Sequence, residues 1–149
     1  MREMREIVKN KIRMMKSIYD IKNKKIAILT PTYFLWSGID NVAKYQAEKL
    51  CKENDVCIYA LEGDIKPTKY RIVYFGHYKS DLMKRIYRLF FIFFTNARKY
   101  YQHLADKDII ISHNYPMDSI AARAKKEFGC KYIAWFHGLG YISISRKCQ

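Results

Sequence analysis

The sequence has little of what usually announces a chemistry. Its four cysteines, at 51, 57, 130 and 148, form no CxxC pair and stand at no ligand spacing from the four histidines. That excludes a structural zinc site or a disulfide framework as the organising device, and it leaves reduced thiols in a cytosolic setting. Acidic residues are scarce: 14 stand against 28 lysines and arginines, a net charge of +14. No apolar run approaches the roughly 18–20 residues of a membrane span. The longest, Leu89 to Phe94, has six. The N-terminus carries charge without an apolar stretch behind it, so it does not read as a secretory signal. Internal repeats and low-complexity linkers are absent, and so are the G-x-G-x-x-G fingerprint and the Walker lysine of nucleotide sites.

What is present is a foldable core with an uneven charge. Half of the 149 residues are hydrophobic and 15% are aromatic, enough for one packed domain, or one domain with an arm. The positive excess favours a polyanion as partner: nucleic acid, an anionic membrane surface or a phosphorylated substrate. Residues 1–25 hold nine basic and three acidic side chains, and residues 76–103 hold six and one. Two basic patches on an otherwise balanced domain point to a surface or a partner. A nucleic-acid binder basic along its whole length would look different.

Residues 1–20 space Met4, Ile7, Val8, Ile12, Met15 and Ile18 three to four apart, which predicts a basic amphipathic helix. We treat residues 1–23 as an arm and 24–149 as the domain. KIAILT (25–30) is a nearly continuous apolar run, as expected of a strand buried on both faces. Pro31 to Ser37 reads as a loop, and Gly38 opens a helical pattern through Val42, Ala43, Ala47 and Leu50. DVCIYAL (55–61) and RIVYF (71–75) are two more strands, joined by a loop with Gly63 and Pro67. A helical stretch from about Ser80 to Leu104 follows, then the strand DIIIS (108–112) and a loop from His113 to Pro116. Met117 to Phe128 reads as a helix ended by Gly129, and CKYIAWF (130–136) as a fifth strand. Strands without polar alternation, separated by helices, predict an α/β fold: a Rossmann-like, doubly wound parallel sheet of about five strands. Such sheets bind ligands beyond the carboxyl ends of their strands.

Three groups fall at those ends. Ser37 and Gly38 precede a helix whose free backbone N–H groups could receive a phosphate or carboxylate; the pair equally reads as an ordinary N-cap. His113, followed by Asn114 in SHNYP, comes directly after one buried strand, and His137 directly after another in WFHGLG. Either histidine alone is most simply a structural hydrogen-bonder. Both at one sheet edge with Ser37 and Gly38 outline a polar cleft with an anion site. No serine–histidine–acid spacing and no flanking pair of carboxylates supports hydrolysis, and no metal site is expected.

KKIAILTPTYFLWSGIDNVAKYQAEKL and DIIISHNYPMDSIAARAKKEFGCKYIAWFHG resemble, in order and spacing, the N-terminal half of family 4 glycosyltransferases with the GT-B fold. The likeness covers about residues 24–140. It departs at the first turn, where Ser37 replaces the family's first glycine and Asp40 stands where Glu is common. The resemblance implies an acceptor-side domain that works with a nucleotide-sugar donor and no cofactor. It implies that His137 contacts sugar or phosphate near the reacting carbon, and that Gly138 lets the chain turn away without covering the ligand. The donor domain of that family, with its Glu-x7-Glu motif, has no counterpart before Gln149. A truncated reading frame, an expressed fragment or one subunit of a split transferase is therefore expected, inactive without a complementary partner chain.

On a helical wheel, Leu82, Met83, Ile86, Leu89, Phe90 and Phe93 share one arc. The opposite arc carries Lys84, Arg85 and Arg88 together with Phe91 and Ile92. Apolar groups within a basic face suit the surface of an anionic membrane. They would equally pack under the arm or under a missing domain. The expectation is a cytoplasmic protein, peripheral on the inner membrane face, acting on a sugar or lipid-linked acceptor. The rival readings are a non-catalytic module that docks a partner chain and, last, a nucleic-acid binder, for which the aromatic residues are poorly placed.

Overall fold

Five apolar runs become five parallel strands. A computed structural model describes residues 21–66, 69–76, 82, 97–135 and 137. Residues 1–20 of the expected arm, the segment with Lys84, Arg85, Arg88, Phe91 and Ile92, and Gly138 lie outside the described residues. The strands are β1 (Lys25–Tyr33), β2 (Asp55–Gly63), β3 (Arg71–Tyr74), β4 (Ile109–His113) and β5 (Lys131–Trp135). They form one sheet in the order β3-β2-β1-β4-β5, all pairs parallel. Helices among the described residues are α1 (Gly38–Leu50), α2 (Ala97–Tyr101, continued by a 3-10 turn over Gln102–Leu104) and α3 (Met117–Phe128). This is the expected Rossmann-like α/β architecture.

The strands read as unbroken apolar runs because helices cover both faces. On one face Ile26, Ile28, Ile58 and Ile111 pack with Ala43, Ala47 and Leu50 of α1. On the other, Ala27, Leu29 and Ile110 pack with Ile120, Ala121 and Ala124 of α3 and with Tyr100 and Leu104. Ile28 and Ile58 are fully buried, and burying each side chain is worth about 1.5–3 kcal/mol. α3 stops where Gly129 takes φ 73°, in the left-handed region open to glycine, and its N–H donates to Lys125 O at 2.9 Å.

Strand order decides where a ligand could sit. From β1 the chain steps outward to β2 and β3, then crosses back to β4 on β1's other side. The crevice at that reversal lies beyond the carboxyl ends of β1 and β4. Two expectations need correction at this edge. β1 does not end at Thr30; it runs through Pro31 to Tyr33, because β2 continues beside it with Thr32↔Glu62 and Tyr33↔Gly63. β4 has already ended its pairing at Leu29↔Ser112, so Pro31 occupies a stretch paired on one side only, where a missing N–H is tolerated. His113 is likewise no loop residue: it closes β4, opposite Trp135 of β5.

No described helix is long and apolar enough to cross a membrane. Cys57 and Cys130 are buried and Cys51 half-buried, all as free thiols. Burial pushes the Cys57 and Cys130 thiols above their ordinary range, which keeps them protonated and unreactive.

Candidate functional site at the carboxyl edge of the sheet

The turn from β1 into α1 is built around a buried carboxylate. Ser37 caps the helix: its Oγ accepts from Asp40 N at 3.1 Å. Asp40, with 1% of its surface exposed, turns its carboxylate back to the incoming chain. One oxygen accepts from Thr32 Oγ1 and the other from Phe34 N, both at 3.2 Å. Together these bonds pin a turn in which Leu35 has φ 65°, a region a leucine rarely enters. Next to it Trp36, 83% exposed, stacks on Phe34 with ring centroids 4.7 Å apart.

Ser37 therefore serves the helix with its hydroxyl. Gly38 behaves differently. It is exposed, and a Cβ added there would meet nothing within 4 Å, so packing does not demand glycine. The space above this helix start is open, as an approaching anion would need.

The second half of the edge is a histidine pair. His113 lies on the α1 side of the sheet, fully buried. Its Nε2 is 2.9 Å from Gln46 Oε1 of α1, and its Nδ1 is 2.7 Å from His137 Nε2. This corrects the expectation that His113 lines a cleft: with no exposed surface and both ring nitrogens engaged, it supports the edge from beneath. His137 is half-buried two residues past the end of β5. Asn114, held at φ 59°, where asparagine is among the few tolerated residues, takes His137 N on its Oδ1 at 3.5 Å. It ties the end of β5 to the turn after β4.

Burial, and then the neighbouring His137, lower the pKa of His113 from 6.5 to about 3, because a charged imidazole would lose its hydration without gaining an anion. His113 is neutral at every ordinary pH. The other face of β4 holds a separate polar knot: Ser112 Oγ and Tyr132 OH both donate to Asp118 Oδ1 in the first turn of α3. Ser112 is thereby committed to the helix start. No group of three or more metal-ligating side chains converges among the described residues.

Gln46 is the site residue that the sequence reading missed. Its signal was a polar side chain on the apolar stripe of α1, beside Ala43, Ala47 and Leu50. His113 and His137 meet, with Asn114 on the turn after β4 bonded to His137 N; their contact with α1 is through Gln46, while Ser37 and Gly38 lie at the start of that helix.

No family model matches the chain, and no curated protein matches it either. Among solved structures, the C-terminal domain of a hydrogenase from Pyrococcus furiosus is similar with a TM-score of 0.49 and 16% identity, over 76% of this chain and 92% of that one. A likeness that distant carries no chemistry from one protein to the other.

Proposed function

We propose that the domain is the acceptor-side half of a GT-B glycosyltransferase, which moves a sugar from a nucleotide-sugar donor to a sugar or lipid-linked acceptor. The observation that supports this reading best is His137, held at the carboxyl edge of the sheet, just past β5, with its Nε2 2.7 Å from the buried, neutral His113. In sugar transfer the bond to the departing diphosphate breaks as negative charge builds on it. Donors fixed in place beforehand lower that barrier most. His137 suits this role as an electrostatic and positioning group, since an imidazole can offer an N–H or, protonated, a positive charge. The turn at Gly38 would take a phosphate on its backbone N–H groups. Recognition of base, ribose and diphosphate would come from a complementary donor domain.

The test is transfer of labelled sugar by this chain combined with a donor-type domain. His137→Ala should lower turnover by about ten-fold or more, the scale of losing one fixed donor, while the circular dichroism stays that of the wild type. Turnover by residues 1–149 alone, or an unchanged rate in the variant, would sink the reading. A non-catalytic docking module is the second reading, favoured by the exposed Trp36, which stacks on the half-buried Phe34.

Contact with the cytosolic membrane face belongs to the same proposal, through Lys84, Arg85, Arg88, Phe91 and Ile92. Phe91→Ser combined with Ile92→Ser should release the protein from anionic vesicles in sedimentation, and added salt should weaken the wild type. Binding unchanged by both would remove the membrane from the account.

A further inference from the structure

We infer that Trp36 is a binding residue for the acceptor: a flat platform on which the C–H face of a neutral pyranose ring stacks. The inference rests on the reading above, that this half of the enzyme holds the acceptor, and adds which side chain takes hold of the sugar. Trp36 is 83% exposed, more than any other large hydrophobic side chain among the described residues. It is nonetheless held in place. The ring of the half-buried Phe34 lies nearly parallel to the indole, with 4.7 Å between centroids and 17° between planes. One indole face is thereby backed, and with so much of the side chain exposed the opposite face is left to solvent. The main chain under the pair is fixed too. Phe34 N donates to the buried Asp40 carboxylate, and Leu35, between the two rings in sequence, takes φ 65°. Strained positions of this kind gather at ligand sites.

Three observations set the class of ligand. The apolar patch on this turn is one ring wide: Phe34 and Leu35 are half-buried, and Ser37, Gly38, Asp40 and Asn41 follow close behind. The other exposed large hydrophobics belong to other segments, among them Tyr45 further along α1 and Val73 in β3. A partner protein would need about 800 Å² on this side with several buried anchors, and a single indole does not supply them. Charge is the second observation. Although the chain carries +14, no lysine or arginine stands between Lys25 and Lys44, so a polyanion or an anionic membrane finds no cation on this turn. Third, Gly38 is exposed beside the indole with open space above it, room for a ring-sized ligand. A neutral sugar fits all three. The hydrogens on one face of a pyranose are polarised positive by its oxygens and meet the negative face of the indole, while the hydroxyls stay at the rim, in water.

NMR of the full chain labelled with 15N at tryptophan tests this without any transfer reaction. Its two indole N–H resonances, one for each tryptophan, are assigned with Trp36→Phe. The probes are the methyl glycosides of glucose, galactose, mannose and N-acetylglucosamine, with uridine and adenosine as flat-ring controls. At least one glycoside should move the Trp36 resonance to saturation at millimolar concentration, and the nucleosides should not. Saturation transfer to the ring hydrogens of that glycoside should persist with Trp36→Phe. Trp36→Ala should weaken binding about ten-fold or more, the scale of losing one aromatic platform under a ring, and Phe34→Leu several-fold by unbacking the indole. A Trp36 resonance that no glycoside moves, one that answers to the nucleosides alone, or equal binding by Trp36→Ala would overturn the inference. Those results leave the transfer assay of His137→Ala untouched. Glycoside binding at Trp36 by a chain that transfers no sugar with any donor domain would instead keep the platform and remove the transferase.

Discussion

Alanine at position 63 should destabilise the protein by about 3 kcal/mol, the upper end for forcing atoms into a packed site, and lower its melting temperature by roughly 10 °C. The added Cβ would overlap the carbonyl oxygen of Tyr33 and the ring edge of Tyr74, with Tyr33 C at 3.0 Å. Neither neighbour can retreat cheaply. Tyr33 is paired with Gly63 in the β1–β2 ladder, and its hydroxyl is locked to that of Tyr70 at 2.7 Å. Tyr74 is tethered by its hydroxyl, which donates to Ile65 O at 2.8 Å. Tyr33 also leads straight into the turn that Asp40 holds, so the damage would reach the candidate site. Gly38→Ala is the control, since its Cβ enters open space and the cost should stay below about 1 kcal/mol. Urea unfolding of the two variants decides it. A loss at position 63 no larger than at position 38 would show that the close approach is not there.

The second large effect is acid lability. His113 binds a proton with a pKa near 6.5 in the unfolded chain and about 3 in the fold. Between those values the unfolded state holds more protons, so stability rises with pH, is complete above the unfolded value, and is lost as pH falls toward the folded one. At about 1.4 kcal/mol per unit, acidification from pH 7.5 to 4.5 should remove about 3 kcal/mol through this one ring. His113→Asn, which cannot titrate, should lose correspondingly less. The carboxylates act equally in both proteins and cancel in the comparison. Denaturant midpoints that fall in parallel for the two proteins would show that His113 is protonated in the fold as readily as outside it.

Both effects come from features that local pattern reveals only in part. The strands were legible because two covered faces leave no polar alternation, and α1 and α3 because their apolar spacing and terminal residues agree. Pro31 misled for a physical reason: proline signals a break, but β1 is an interior strand only as far as β4 accompanies it. Gly63 looked like a loop marker, and the crowding that requires it involves Tyr33, thirty residues earlier. The histidines stood out because each follows a buried run. The orientation of His113 was readable too, since it alternates with Ile109 and Ile111 toward α1. Its contact with Gln46 was not, for it joins β4 to α1 through a chain reversal that no short window contains. Ser37 suited either of its two roles in sequence, and its bond to Asp40 N assigns it to the helix.

The chain has two tryptophans, and both lie at the carboxyl end of the sheet. Trp36 sits stacked in the turn after β1, and Trp135 ends β5 beside His113. Emission excited selectively at tryptophan, apart from the 13 tyrosines, is accordingly a local signal. It reports on the edge that we propose receives ligand, while far-ultraviolet dichroism reports on the whole sheet and its helices. Melting curves from the two probes coincide only if edge and sheet come apart in one cooperative step. A separation between them would measure how loosely that edge is held, with no label attached and no residue changed.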